Sequence, residues 1–343
     1  MVGRDPERTD RAARRLGWQE STTDWRRTVE RDDIDVIDIC TPGDTHAEIA
    51  LAALAAGKHV LCEKPLADTL DEAERMASAA RAASDRGIRS MTGFTYRRVP
   101  ALKLARMLIA DGRIGQVRHV RAQYLQDWLA DPAVPMSWRL ERERAGSGAL
   151  GDIGSHIVDL AQYLTGERLT GVSALLDTFV TERPLPGGMG TGTVTVDDAA
   201  VFTSRLEGGA LTVFEATRCA TGRKNALRIE INGDRGSVAF DFEDMNVLHV
   251  LDGAVSSATA GFRRVLATEP EHPYVAAWWP PGHGLGYEHG FTHQVVDLVD
   301  AIARNTDPEP SFTDALQVQR VLHAVEHSAA HDARWVLVTA PTR

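Results

Sequence analysis

What this sequence lacks narrows it first. Of its 343 residues only three are cysteine, Cys40, Cys62 and Cys219. Two of them sit inside apolar runs, so a disulfide framework is not expected and a reducing, cytoplasmic compartment is. No apolar run approaches the roughly 20 residues that a membrane-spanning helix requires. The opening "MVGRDPERTDRAARRLGW" contains no stretch of signal-peptide type. An excess of basic charge is missing as well. The formal net charge is -10, and no Lys/Arg cluster exceeds short arginine pairs, which argues against nucleic acid or an anionic membrane as a partner. A small neutral ligand fits better. There is no internal repeat and no low-complexity tract.

What is present, up to about residue 95, is an alternation of helix and strand signals. "DPERTDRAARRLG" places Asp5 as N-cap, Pro6 at the first helical position and Gly17 just past the end. "VIDIC" (36–40) reads as a short buried strand. Thr45 and Glu48 then have the spacing of a capping box, opening an Ala/Leu-rich helix that stops at Gly57. The strand "HVLC" follows, then a second box made by Thr69 and Glu72, a helix to about Gly87 and the strand "IRSMTG". Strands alternating with helices at this spacing predict a doubly wound parallel sheet.

Beyond "RRVPALKLARMLIADGRIG" the pattern changes. Longer strands appear in "VRHVRAQYLQ", "GVSALLDTFV", "AAVFTSRLEGGALTVFEATR" and "LRIEINGDRGSVAFDF". Gly-Gly and Asn-Gly-Asp turn signals break the last two into hairpins. The helix "DIGSHIVDLAQYLTG" interrupts the strands, and two more helices, near 291–304 and 313–330, close the chain. The fold class is therefore α/β plus α+β: a parallel sheet of dinucleotide-binding type in residues 1–98, then an open-faced antiparallel meander with helices in 99–343.

Two stretches carry chemistry. In "HVLCEKPLADT" (59–69) an apolar strand runs directly into Glu63, Lys64 and Pro65, beside Thr41, Pro42 and Gly43 at the end of the neighbouring strand. Ligands of open parallel sheets bind outside such carboxyl ends, and proline biases the residue before it towards extended backbone, which aims Lys64. In "AGSGALGDIGSHIVDL" (145–160), Asp152 and His156 stand four apart on one helix face with Asp159 three further on. The glycines ahead of them permit close approach of backbone to a ligand or a partner element.

Taken together, these residues resemble the glucose-fructose oxidoreductase and inositol dehydrogenase family, Gfo/Idh/MocA. The matching segments are "GRDPER" (3–8), "ICTPGDTHAEIALAALAAGKHVLCEKPLADT" (39–69), "RRVPALKLARMLIADGRIGQV" (97–117) and "SWRLERERAGSGALGDIGSHIVDLAQYLTGE" (137–167), in family order along nearly the whole chain. "QDWLADP" and "WWPPGHGLGYEH" look nearest to the levoglucosan and inositol dehydrogenase branch. The resemblance implies a nicotinamide cofactor over the parallel sheet, a cyclic polyol or pyranose substrate, and a homodimer or homotetramer. It implies Lys64, Asp152 and His156 as the catalytic set. His156 would be the base that takes the hydroxyl proton as hydride leaves, Lys64 the donor to the developing oxyanion, and Asp152 either the anchor of substrate hydroxyls or a group that helps set the protonation of the other two. Arg4, Thr41, Pro42, His46, Glu63 and Lys64 are expected at the cofactor, and Arg97, Gln126, Trp128 and Asp152 at the substrate. Asp159 either orients the His156 imidazole or is a helix-surface carboxylate.

The pattern departs from the family at the start, where no G-x-G-x-x-G turn receives a pyrophosphate. A first strand, its helix and most of a second strand, roughly 30 residues, are expected to precede Met1 in the complete protein. Gly3 and Arg4 fall where NAD-preferring members carry an acidic residue, so NAD is expected with NADP open, since Arg4 suits a 2'-phosphate. A redox-neutral glycosidase or lyase would use the same lysine and histidine, and a non-catalytic binding or regulatory protein on the same fold also stays open. His289 and His293, four apart beside Glu288, lack the order of a zinc-protease helix, so no metal is expected. Trp278 and Trp279 suit either interdomain packing or a pocket wall.

Overall fold

Capping chemistry places the first elements. In the computed structural model, which describes residues 1–253 and 256–338, helix α1 (Pro6–Leu16) starts at Asp5, whose carboxylate accepts from the Arg8 amide, and stops at Gly17 in the left-handed region, φ 78°. A short α2 (Trp25–Val29) is capped by Asp24. Strand β1 (Val36–Ile39), helix α3 (His46–Ala55), β2 (His59–Cys62), α4 (Leu70–Ser84) and β3 (Ser90–Thr92) follow, and the three strands pair in parallel in the order β1-β2-β3.

Two local expectations fail here. β1 is not a buried strand: it forms the sheet edge with only Ile39 buried, while Val36 and Asp38 are exposed. The Thr45 box does not form either. Thr45 is itself helical, its hydroxyl is engaged by Thr41 and the Pro42 carbonyl, and a 3-10 turn over Gly43–Thr45 leads into α3 instead. At Thr69 only the N-cap half of the box forms: its Oγ1 accepts from the Glu72 amide at 3.3 Å, while the Glu72 carboxylate takes the Thr69 hydroxyl at 2.9 Å rather than the Thr69 amide.

Helix α5 (Pro100–Ala110) leads into β4 (Val117–Leu125), followed by α6 (Arg142–Ala145) and α7 (Ser155–Thr165). Then come β5 (Leu169–Asp177), a small arm β6 (Glu182–Pro184) with β7 (Thr191–Thr193), β8 (Ala199–Leu206), β9 (Leu211–Thr217), β10 (Ala226–Gly233), β11 (Gly236–Asp241), β12 (Val247–Asp252) and β13 (Arg263–Leu266). Helices α8 (Tyr287–Arg304) and α9 (Phe312–Ala329) and strand β14 (Val336–Leu337) complete the chain. Both hairpins, β8 with β9 and β10 with β11, turn where glycine signals them.

The meander does not hold. Among the described residues the second sheet has nine strands in the order β13-β12-β11-β10-β4-β9-β8-β5-β14. β4 inserts between the two hairpins, antiparallel to β10 but parallel to β9, with Leu125 opposite Thr217. The sheet is therefore mixed, and the carboxyl ends of β4 and β9 reach the same edge. That edge meets the carboxyl ends of β1 and β2.

Alternation sets the two faces. Along β8 every second residue is buried, and Phe202 stacks on Phe214 of β9 at 4.6 Å between ring centroids, in strands that pack against the turn over Leu150–Gly154. Each such ring contributes on the order of 2 kcal/mol by burial. The outer face is not the apolar surface expected of a one-layer sheet. Ion pairs Arg121–Glu230 (3.2 Å) and Arg228–Asp241 (2.7 Å) cross it beside the exposed apolar Leu175, Val201 and Leu211, so the face is mixed. Near its end the chain returns to the parallel sheet, where the Thr92 amide donates to the Pro310 carbonyl at 2.9 Å and α9 packs on α4. Among the described residues no helix is long and apolar enough to cross a membrane.

Candidate active site

Loops leaving β1 and β2 form one wall of a cleft of about 420 Å³. His46, at the start of α3, clasps them together: one ring nitrogen faces the Thr41 carbonyl at 2.9 Å and the other the Pro65 carbonyl at 3.0 Å. Lys64 projects across the cleft, its Nζ donating to the Asp152 carbonyl at 2.7 Å and lying 3.3 Å from Asp152 Oδ1. The Lys64–Pro65 peptide is cis. Glu63 lines the same wall, with Oε2 accepting from the Lys64 amide at 3.3 Å, and burial pushes its carboxyl pKa up.

The opposite wall is the start of α7, wound as a π turn over Leu150–Gly154. Asp197 pins it, its two carboxylate oxygens accepting the Gly148 and Leu150 amides at 2.7 Å each. A Cβ on Gly148 would collide with the Asp197 backbone, so this glycine serves close packing. Residues 146–151, "GSGALG", do carry the spacing G-x-G-x-x-G. No strand precedes them, and Gly146 packs on Asp68 rather than presenting a phosphate cradle.

Electrostatics separate the two titratable residues of that wall. Burial raises the Asp152 carboxyl, but Lys64, Arg218 and Arg139 outweigh it and leave the pKa below the usual carboxylate value. Burial drives the His156 pKa well below 6.5 and Lys64 lowers it further, against an opposing pull from Asp152. The imidazole is therefore neutral at neutral pH. It packs edge-on to Tyr96 at 4.8 Å and Phe94 at 5.8 Å. Its Nδ1 is buried without a partner.

The carboxyl ends of β4 and β9 close the third side. Tyr96 and Tyr124 share a hydrogen bond of 2.5 Å between hydroxyls, and Tyr124 and Gln126 both donate to Asn225 Oδ1 at 2.7 and 2.8 Å. Gln126 Oε1 accepts the Trp128 indole N–H at 2.9 Å. Arg218 lies under the Trp128 ring at 5.5 Å and reaches Asp152 Oδ2 at 3.5 Å.

The structure thus brings Thr41, Pro42, Glu63, Lys64 and Asp152 to one cleft, with His156 behind them and Gln126 and Trp128 at its edge. It places others elsewhere. Arg97 is not free for a substrate, because Asp159 holds its guanidinium at 2.8 and 2.5 Å in a buried pair. For the same reason Asp159 does not orient His156. His46 does line the cleft, with both ring edges spent on backbone carbonyls, whereas Arg4 is exposed ahead of α1, apart from the lining. His289 accepts the Gly286 amide and His293 the Trp278 indole N–H. Among the described residues no group of three His, Cys, Asp or Glu side chains is placed to hold a metal. Sequence reasoning missed Arg218, Tyr96, Tyr124, Asn225, Trp138 and Arg139. Only an arginine closing the alternation of "LTVFEATR" hinted at the first.

Comparison with known proteins agrees with this geometry. Residues 1–89 match the oxidoreductase family with an NAD-binding Rossmann fold, and residues 102–239 match the GFO/IDH/MocA C-terminal domain. Levoglucosan dehydrogenase from Pseudarthrobacter phenanthrenivorans is 44% identical over 97% of this chain and 87% of its own length. The crystal structure of an oxidoreductase domain protein from Kribbella flavida superposes with a TM-score of 0.96 at 68% identity, covering 99% of this chain and 89% of that one. Levoglucosan dehydrogenase in complex with NADH and levoglucosan gives 0.93 at 44% identity, covering 99% and 90%. With a Rossmann-type sheet, a mixed-sheet domain and this cleft between them, the chain belongs to the Gfo/Idh/MocA family of NAD-binding oxidoreductases.

Proposed function

We propose that this protein oxidises a secondary alcohol of a pyranose sugar or cyclic polyol, with NAD as the hydride acceptor. The observation that supports the reading is the Lys64 ammonium held beside the Asp152 carboxylate at the carboxyl end of β2, with a buried, neutral His156 one turn further along the Asp152 helix. The substrate class follows the relative that binds levoglucosan and NADH and the Trp128 ring at the cleft edge, a face suited to a sugar ring. The working form is a homodimer or homotetramer.

The residues present suit the nicotinamide end of the cofactor. The wall of Thr41, Pro42 and Glu63 lies outside the carboxyl ends of parallel strands, where a doubly wound sheet takes its ligand. The cleft's volume is in the range of small-ligand sites. Bound there, NAD supplies the carbon that accepts hydride. Everything else falls to this chain. His156 Nε2, unprotonated, accepts the hydroxyl proton. Lys64 donates a hydrogen bond to the same oxygen as negative charge grows on it, an interaction stronger in the transition state than in the ground state. Asp152 holds that ammonium in place and accepts from a neighbouring hydroxyl. Tyr96 and Phe94 keep water from the imidazole.

NADH formation from a panel of pyranoses and cyclitols, levoglucosan included, tests the reading. Lys64→Ala is expected to lower turnover by on the order of 100-fold while leaving the dissociation constant for NADH nearly unchanged. Abolished NADH binding in that variant would make Lys64 a cofactor anchor instead, and sugar conversion without net NADH would favour a redox-neutral lyase.

A further inference from the structure

The proposed chemistry leaves Arg218 without a task. It sits just past β9 with its side chain 1% exposed, and burying an arginine there is costly unless its charge is paired. Arg97 shows how this chain pairs one, with two short bonds to the Asp159 carboxylate. Arg218 has no such fork. Its Nη2 donates to the Asp197 carbonyl at 3.2 Å, its Nη1 stands 3.5 Å from Asp152 Oδ2, and its Nε is buried without a partner. Trp128 covers the guanidinium face.

Those neighbours have one thing in common. Asp197 pins the start of α7, Asp152 projects from that start, and Trp128 is the aromatic wall of the cleft. Asp152 is held between two cations, Oδ1 turned to Lys64 and Oδ2 to Arg218. We infer that Arg218 is a positioning residue for the reaction, keeping Asp152 ionised and aimed at Lys64 while supporting the indole of Trp128. It meets no reacting atom in this account and acts through Asp152. Without it, one carboxylate oxygen would lose its cation, the carboxyl would hold a proton more readily, and a protonated Asp152 would release Lys64.

The groups facing Asp152 set the size of the effect. Lys64 approaches from the loop after β2, Arg139 from the segment before α6, His156 from the next turn of its own helix and Tyr124 from β4. Two cations remain when Arg218 is removed, so the Asp152 titration should rise by about one pH unit, a tenfold change in proton affinity, rather than escape the carboxylate range.

The kinetic half of the test rests on the function proposed above, and the spectroscopic half does not. The Asp152 carboxylate band, isolated by infrared difference against Asp152→Asn, is titrated in the wild-type protein, Arg218→Gln and Arg218→Lys. A rise of about one unit in Arg218→Gln, reversed by lysine, is the expected result. An Asp152 titration that does not move in Arg218→Gln overturns the inference. In kinetics, if Arg218 acts through Asp152, the double variant Asp152→Asn/Arg218→Gln is no slower than Asp152→Asn alone by more than about 2-fold. Losses that multiply would give Arg218 an independent role and overturn it. Should Arg218→Gln not fold, Arg218→Lys carries both tests, with an unmoved titration and no further loss on top of Asp152→Asn expected. A displaced titration or a multiplied loss in that variant refutes the inference. If the wild-type protein forms no NADH from any sugar, the functional reading fails, while the infrared titration still decides the place of Arg218.

Discussion

The His156 imidazole is enclosed by aromatic rings and faces the Lys64 ammonium, and both conditions favour its neutral form. Alcohol oxidation should therefore be flat through neutrality and fall only well below pH 6.5, since the base is already unprotonated there. An inflection of kcat/KM at or above pH 6.5 that vanishes in His156→Ala would contradict this environment. The same depression has a linkage consequence. The unfolded chain takes up this proton before the folded one, so stability is lost as pH drops below about 6.5, and His156→Ala should show less of that loss in urea titrations. Arg97 and Asp159 belong to a different class. Asp159→Asn breaks a buried ion pair and should cost about 3 kcal/mol of stability while the pH profile of turnover stays in place; a displaced profile would return Asp159 to the imidazole. The segments that carry Lys64, Asp152 and His156 stood out in the sequence at one strand end and one helix face, and the family resemblance singled out those three residues; their roles belong to the proposal above. The Arg97 pairing was not, because its partner lies 62 residues away and no local pattern announces it.

At the scale of elements, the strands announced themselves and their neighbours did not. Alternation and glycine turns located β8 to β11 with both hairpins, since those signals are local. Sheet order depends on contacts between distant segments, so the parallel seating of β4 against β9 could not be read from either strand. That seating matters for the site. An antiparallel pairing would send Trp128 and Arg218 to opposite edges, whereas the observed one puts them together above Asp152. The start of α7 is the other element on which the site depends. Gly148→Ala would force a Cβ into the Asp197 backbone, so the expected outcome is a lower melting temperature together with weakened turnover, because Asp152 moves with the turn. Unchanged activity in a folded Gly148→Ala protein would show that Asp197 does not set the position of Asp152.

For the whole molecule, two sheets meet so that the carboxyl ends of β1 and β2 face those of β4 and β9. Among the described residues nothing covers the outer face of the mixed sheet, and that face alternates Arg121 and Arg228 with Glu215, Glu230 and Asp241 around a depression of about 460 Å³. A second copy offers the same charges in opposite order, which makes this face the expected interface of a dimer or tetramer. Light scattering at micromolar concentration should give a multiple of the 37.4 kDa chain mass, and a strictly monomeric mass would contradict it. The claim at the centre of the account is that this cleft removes hydride and proton from one carbon and its hydroxyl. Its most direct test is NADH formation from a pyranose deuterated at the reacting carbon, compared with the unlabelled sugar in wild-type protein and in Lys64→Ala. The account predicts NADH carrying the deuterium, and a primary isotope effect that grows in Lys64→Ala as chemistry becomes slower. NADH without deuterium, or Lys64→Ala with unchanged turnover and isotope effect, would contradict it.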